Sequence, residues 1–312
     1  MAGGINSTAN LPSLLFPGIR ALFGTNYKDQ PAKYPALFDE VPSDKQYEVY
    51  QQLTGFPDVG TVKAEGAPIL MTGNSQGFTY RLTNDAVALG FIVTLEAVKD
   101  NLYENTAQAR TKMLVRAMRL AKEYKAATIF NQGFNSAVTY ADGSPLFSAS
   151  HVTMQGGTQS NILGTGNIAG ADLSEAAIED MLVQMSLALD DTGFPIDLEG
   201  QSLHIHPSQR YNAQRILKSA GQSGTANNDD NALAAMRMLP KGVFVNPYFT
   251  SPGAWFIRSD VPHGEGLIYQ VREAADLSME VSEVNKTYTH VAYERYKFGN
   301  VDFRSCYGSN GP

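Results

Sequence analysis

The chain of 312 residues has one cysteine, Cys306, which excludes an intramolecular disulfide and a multi-cysteine metal site and fits a protein made in a reducing cytoplasm. Long apolar runs are also missing: nothing approaches the roughly 18 residues that a membrane-spanning helix needs. Leu14-Leu15-Phe16 is too short for the core of a signal peptide, has no basic residue ahead of it and is cut by Pro17. Positive charge is scarce. With 24 Lys and Arg against 31 Asp and Glu, the net charge is −7, so a basic surface that grips nucleic acid through its phosphates is not expected. A container for nucleic acid remains open, because a weakly attractive wall lets the polymer move past it. Familiar catalytic loops are wanting too: there is no Gly-x-Gly-x-x-Gly after a strand, no Walker-type loop and no Gly-x-Ser-x-Gly elbow.

What is present can build a sizeable core, since 43% of the residues are hydrophobic, and the length suits two domains or one with large insertions. The most informative stretch is a long amphipathic helix over 106–131, which breaks at Gly133 and is followed by a turn-rich segment from Tyr140 to His151. Ala109, Met113, Ala117, Ala121 and Tyr124 recur at steps of three and four, and Leu114, Met118 and Leu120 widen the stripe. Arg110, Lys112, Arg116, Arg119, Lys122 and Glu123 fill much of the rest, so one face is expected to pack and the other to meet solvent or a neighbour. At 1.5 Å per residue the helix spans roughly 35–40 Å, longer than an ordinary domain helix.

Residues 1–45 are broken by Gly and Pro, and helix signals are poor there apart from a short piece around Ile19–Phe23. They nevertheless carry Leu11, Leu14, Leu22, Phe23, Leu37 and Phe38, the pattern of an extended arm that buries its side chains against another surface. Tyr47–Leu53 and Phe78–Leu82 read as strands flanking a long loop, and Ala86–Thr94 as a further strand with Val87, Leu89, Phe91 and Val93 on one face. Asp172 and Glu175 resemble a capping box for a helix carrying Ile178, Met181, Leu182, Met185 and Leu189 and ending at Thr192-Gly193. Leu198–Ile205 reads as a strand, Pro207 opens a helix to about Ala220, and 219–232 reads as an acidic, Gly-rich loop. Val243–Val245, Ala254–Ile257, Leu267–Val271, Leu277–Val284 and Tyr288–Phe298 read as successive strands. The class is α+β, with strands and helices segregated.

Candidate chemistry is thin. His204 and His206 lie two apart on a strand and so share a face, half of a metal site, with His263 the nearest further histidine. Ser148, Ser150 and His151 are too close in sequence to form a triad, whose members converge from separate elements, and Asp142-Gly143 reads as a turn. No catalytic, cofactor or metal residue is assigned.

Four features taken in order resemble the Hong Kong 97-type bacteriophage major capsid protein family: the broken apolar arm, the long hairpin placed just before the strand Val87–Thr94, the long helix followed by Asp142-Gly143, Leu146-Phe147-Ser148 and His151, and the ending Arg295-Tyr-Lys-Phe-Gly299 with Asp302-Phe303-Arg304. The resemblance covers almost the whole chain. It implies an N-terminal arm (1–45), an extended E-loop hairpin (46–84), a peripheral domain (85–189 and 281–312) built on the long spine helix, and an axial domain (190–280). It further implies no enzymatic activity and no cofactor, but self-assembly through hexamers and pentamers into an icosahedral shell around double-stranded DNA, with a portal protein and with scaffolding and decoration proteins as separate partners. Such a shell is assembled in the host bacterial cytoplasm and persists as the virion capsid. Candidate contacts between subunits are Lys63, Glu65, Arg81, Arg110, Arg116 and Arg119, and candidate axial-loop residues are Gly221, Asn228, Asp229 and Asp230. Some members join an E-loop lysine to a neighbour's asparagine; Lys63 is the one lysine in the loop, and a surface charge is the favoured reading of it. Two alternatives stand beside this one: an encapsulin-type nanocompartment shell, and a metal-dependent hydrolase using His204, His206 and His263.

Overall fold

The computed structural model describes residues 15–29, 31–73, 76–99, 103–154, 156–163, 170–219, 221, 231–282 and 284–311. In chain order, helix α1 (Leu15–Asp29) leads to strand β1 (Asp39–Pro42), the hairpin strands β2 (Tyr47–Leu53) and β3 (Gln76–Thr83), and β4 (Asp85–Thr94). Helices α2 (Leu95–Lys99) and α3 (Tyr103–Asn131) follow, then the short strands β5 (His151–Val152) and β6 (Thr158–Gln159) and helix α4 (Glu175–Ser186). The rest comprises β7 (Gly200–Ile205), α5 (Arg210–Lys218), α6 (Ala232–Met236), β8 (Val243–Val245), β9 (Trp255–Ser259), β10 (Leu267–Ser282), β11 (Thr287–Asn300) and β12 (Cys306–Ser309).

Two four-stranded sheets organise these elements, in the orders β1-β10-β11-β4 and β12-β9-β7-β8. In the first, β10 and β11 form a long antiparallel hairpin from Leu267↔Asn300 to Ser282↔Thr287, β4 is antiparallel to β11, and β1 lies parallel to β10. Helices α1 and α3 cover one end of it through Ile19, Phe23, Leu114, Val115 and Met118 against Val93, Leu277 and Ala292. A second cluster, rich in aromatic rings, joins the far half of α3 to both sheets through Phe38, Phe130, Phe147, Phe249, Phe256, Tyr296 and Phe298. The third cluster lies between the second sheet and helices α4, α5 and α6, around Trp255, whose indole N–H donates to the Ala171 carbonyl at 2.9 Å.

Several expectations need correcting. The segment 15–29 is one helix, because packing of Ile19 and Phe23 on α3 overrides the poor propensity of Gly18 and Gly24, and Pro17 sits in a first turn where its missing N–H costs nothing. The core-facing side of α3 is Leu114, Val115, Met118, Lys122, Ala126, Ala127 and Phe130, whereas Ala109, Met113, Leu120 and Tyr124 are exposed. Alanines mark a face weakly, and this helix carries apolar residues on two sides. Leu89, expected on the inner face of β4, is also exposed. Strand β10 is continuous: Arg272 to Asp276 looked like a break because the strand bulges there and its side chains meet water. Helix α4 is capped by Ser174, whose Oγ accepts from Ala177 N–H at 3.2 Å, and it ends at Ser186, leaving Leu189 outside it. The expected boundary between residues 280 and 281 falls inside β10, which hydrogen-bonds along its length to β11, while β12 joins the second sheet through β9.

Candidate assembly surfaces

The hairpin β2–β3 is anchored at its base and bare at its tip. Tyr50 O–H donates to Gln270 Oε1 at 3.0 Å, Gln270 Nε2 donates to Asn84 Oδ1 at 2.8 Å, and Asn84 Nδ2 donates to Ser43 Oγ at 3.0 Å. This chain of side-chain amides and hydroxyls rivets the hairpin to the first sheet beside β1. Beyond Leu53 the chain makes a long irregular excursion whose Phe56, Val59, Val62, Ile69, Leu70 and Met71 are all exposed. A group of large apolar side chains left in water marks a surface that another molecule covers.

The sequence-derived contact residues are divided between the hairpin and α3 and differ in how free they are. Lys63 and Glu65 stand exposed in the loop, and Arg116 is exposed on α3. Arg81, on β3, lies over the Tyr47 ring with its guanidinium carbon 3.7 Å from the centroid. Arg110 donates to the Ile92 carbonyl at 2.9 Å. Arg119 is engaged within its own subunit: its Nε donates to the Tyr27 carbonyl at 2.9 Å and its guanidinium stacks on the Tyr27 ring at 4.0 Å, which fastens α1 to α3. Gly221 accepts from Ser219 Oγ at 2.7 Å through its carbonyl, and Asn228, Asp229 and Asp230 lie outside the described residues, as does the arm before Leu15.

Beneath α3 sits a buried charged node that sequence reasoning missed. The Lys122 ammonium lies 2.8 Å from Glu294 Oε2 and donates to Tyr27 O–H at 2.7 Å, while Tyr27 O–H donates to the same Glu294 oxygen at 2.8 Å. The rings of Tyr34, Tyr269 and Tyr296 surround the ammonium at 5.8, 5.2 and 4.8 Å. Burial depresses the Lys122 amine and Glu294 opposes the shift, while burial and the Glu294 carboxylate push the Tyr27 phenol well up. The node ties α1, α3 and β11 together. Its partners are up to 267 residues apart in sequence, and Lys122 stands among Arg119, Glu123 and Lys125, so no local signal marks the node.

A second node holds the segment after α3. Just past the end of α3, Gly133 leaves room for the Phe147 ring, which a Cβ there would meet at 2.6 Å, and Gly143 takes a φ of +77° in the turn that follows. His151, fully buried and stacked on Phe303 at 4.1 Å, spans Asp142 Oδ2 at 2.5 Å and Asn161 Oδ1 at 3.0 Å. Asn161 Nδ2 donates to the carbonyls of Leu146, Phe303 and Cys306, so one side chain joins three chain segments. Burial pushes the Asp142 carboxyl up, but the hydrogen bond and charge of His151 outweigh it and hold the group below its usual range. Both ring nitrogens of His151 are thus occupied, which leaves neither for Ser148 or Ser150.

The remaining candidate chemistry is taken up by packing. Burial pushes the His204 imidazole down to about 3, and its Nε2 lies 2.8 Å from Ser202 Oγ. His206 instead caps the turn at Ser208, and His263 stands 3.4 Å from Asp39, so the three histidines do not converge. Among the described residues no group of three or more His, Cys, Asp or Glu is placed to hold a metal ion. Burial also pushes the Cys306 thiol far up, away from a nucleophile.

The family model for phage capsid proteins matches residues 83–307. In fold the chain is similar to the procapsid protein of bacteriophage JBD30, at 14% identity and a TM-score of 0.54 over 97% of this chain and 76% of that one. It is likewise similar to the capsid protein of the native GTA particle, at 10% identity and a TM-score of 0.53 over 98% and 91% of the two chains. The virus-like particle from Pyrococcus furiosus gives 11% identity and a TM-score of 0.50 over 95% and 99%. No curated protein sequence matches the chain.

Proposed function

From the premise that this chain belongs to the phage capsid protein family, we propose that its shell closes from hexamers and pentamers around double-stranded DNA. The protein is a major capsid subunit with the Hong Kong 97-like α+β fold, and its role is structural. The family match over residues 83–307 carries this reading and favours a phage shell over a nanocompartment. The net charge of −7 suits a wall that holds a packaged polymer without binding it tightly.

A peripheral unit is formed by the first sheet with α1 and α3, and an axial unit by the second sheet with α4, α5 and α6. The loop 54–73 reaches to neighbouring subunits, with Lys63 and Glu65 as its charged contacts, Arg81 beside it on β3, and Arg110 and Arg116 on the face of α3. Gly221 is the described residue of the axial-loop set and lies towards the capsomer centre in this reading. Assembly takes place in the host bacterial cytoplasm, with a portal protein at one vertex. Electron microscopy and nuclease treatment of particles from infected cells test this. Closed shells holding nuclease-protected double-stranded DNA support the reading; a stable monomer at high concentration, or shells filled with protein cargo, overturns it.

A further inference from the structure

Helix α3 is apolar on two sides, and among the described residues only one of them is buried. On the outer side Met113, Leu120 and Tyr124 remain 69%, 36% and 55% exposed, Tyr124 with its ring edge-on to Tyr248 of its own subunit at 5.3 Å, and the partly exposed Ala117 and Ala121 lie between them. They recur at steps of three and four and so form one face. The charges beside them are the exposed Lys112 and Arg116, while Glu123 is turned inward, where its Oε1 accepts from Lys33 N–H at 2.6 Å.

Helix α4 has the complementary arrangement. Its inner side, Ile178, Met181, Leu182 and Met185, is buried against the second sheet. Its outer side runs through Ala176, Glu179, Asp180, Val183 and the C-cap residue Leu187, with Val183 and Leu187 59% and 70% exposed. No lysine or arginine lies in this helix.

We propose that α4 of one subunit packs parallel, and in register, on the outer side of α3 of a neighbouring copy. Arg116 then faces Glu179 and Asp180, Leu120 faces Val183, and Tyr124 faces Leu187. An antiparallel pairing that keeps Arg116 on Asp180 would instead set Leu120 against Ala176, Leu187 against Ala109 and Tyr124 beyond the start of α4, matching fewer large apolar residues. Two α3 faces brought together would oppose their cations, and two α4 faces their anions, so the contact joins unlike faces. Each copy gives one face and takes the other, the head-to-tail arrangement that closes rings. The loop 54–73 competes for the same surface, but its Asp58 and Glu65 flank a lysine, Lys63, whereas both charged residues of the α4 face, Glu179 and Asp180, are acidic.

This pairing rests on the shell reading, and its test keeps the two apart. Cys306 is fully buried, so introduced thiols report without background. Oxidised shells of L120C/V183C are expected to give a ladder of cross-linked chains on non-reducing gels, and those of L120C/L70C are not. R116E and D180R are each expected to cut shell yield at least tenfold, and R116E/D180R to restore it, while circular dichroism melts of the unassembled subunits stay at the wild-type temperature. Wild-type shells combined with a double reversal no better than the singles, or with cross-linking to L70C alone, overturn the pairing and leave the shell reading standing. A wild-type protein that never assembles overturns both.

Discussion

Replacing Lys122 by methionine isolates the buried node that joins α1, α3 and β11. Methionine fills nearly the same volume, so packing changes little while the charge disappears. Glu294 is then left with Tyr27 O–H as its partner, on a side chain about 1% exposed whose Oε1 already has no hydrogen-bond partner. Stranding one member of a buried ion pair costs about 3–5 kcal/mol, well above the roughly 0–1 kcal/mol of an exposed pair. At about 2 °C per kcal/mol for a chain of this size, the unassembled subunit should melt roughly 6–10 °C lower. The double variant K122M/E294Q removes the stranded charge and should recover about half of that loss. Thermal melts of K122M, E294Q and the double variant under conditions that block assembly form a mutant cycle. A K122M subunit that melts within about 2 °C of wild type would refute the reasoning, since the node would then be energetically no different from a surface pair.

Three further outcomes follow from the packing. Asp142→Asn removes the carboxylate that binds His151 and should cost about 1–3 kcal/mol in urea unfolding at pH 7; because the Asp142 carboxyl is held below its usual range, this deficit is full above about pH 4 and shrinks as pH falls through the depressed value. Gly133→Ala places a methyl 2.6 Å from the Phe147 ring and should destabilise by roughly 1–3 kcal/mol, which the same urea titration reads; a neutral result would mean that the helix end shifts freely. Burial raises the phenols of Tyr27, Tyr140, Tyr269, Tyr296 and Tyr307, and that of Tyr50 to about 12. A group with a raised folded value stabilises below its unfolded value, so stability should fall as pH rises beyond about 10, with tyrosinate absorbance appearing together with unfolding rather than before it. Lys122, depressed by burial, acts in the opposite sense but is one group against several.

Much of the fold was legible because periodicity and turn residues agree locally. Turn residues bound Tyr47–Leu53 and Val243–Val245, the long strand β11 alternates in burial over most of its length, and Ile178, Met181, Leu182 and Met185 mark the inner side of α4 without ambiguity. Where tertiary contacts decide, the local signal failed. Helix α1 forms despite Pro17, Gly18 and Gly24 because Phe23 finds the α3 surface, and β10 runs on through Arg272 to Asp276 because β11 supplies the hydrogen bonds. The stripe Met113, Ala117, Leu120, Tyr124 was visible, but a sequence cannot say which of two apolar faces turns inward. The candidate contacts show the same limit. Arg119 read as one surface cation among several, yet the Tyr27 carbonyl 92 residues away holds it. Asn161, Glu294 and Tyr27 carry no local signature at all, since their roles exist only where distant segments meet.

The most direct test of the account is an electron cryomicroscopy reconstruction of particles assembled from this chain alone or taken from virions. The account predicts a closed shell in which neighbouring copies cover the apolar loop 54–73 and the Met113–Tyr124 face of α3, with α4 of the adjacent subunit lying parallel along that face. Particles that do not form at tens of micromolar subunit, or shells in which the loop and that face stay open to solvent, would contradict it.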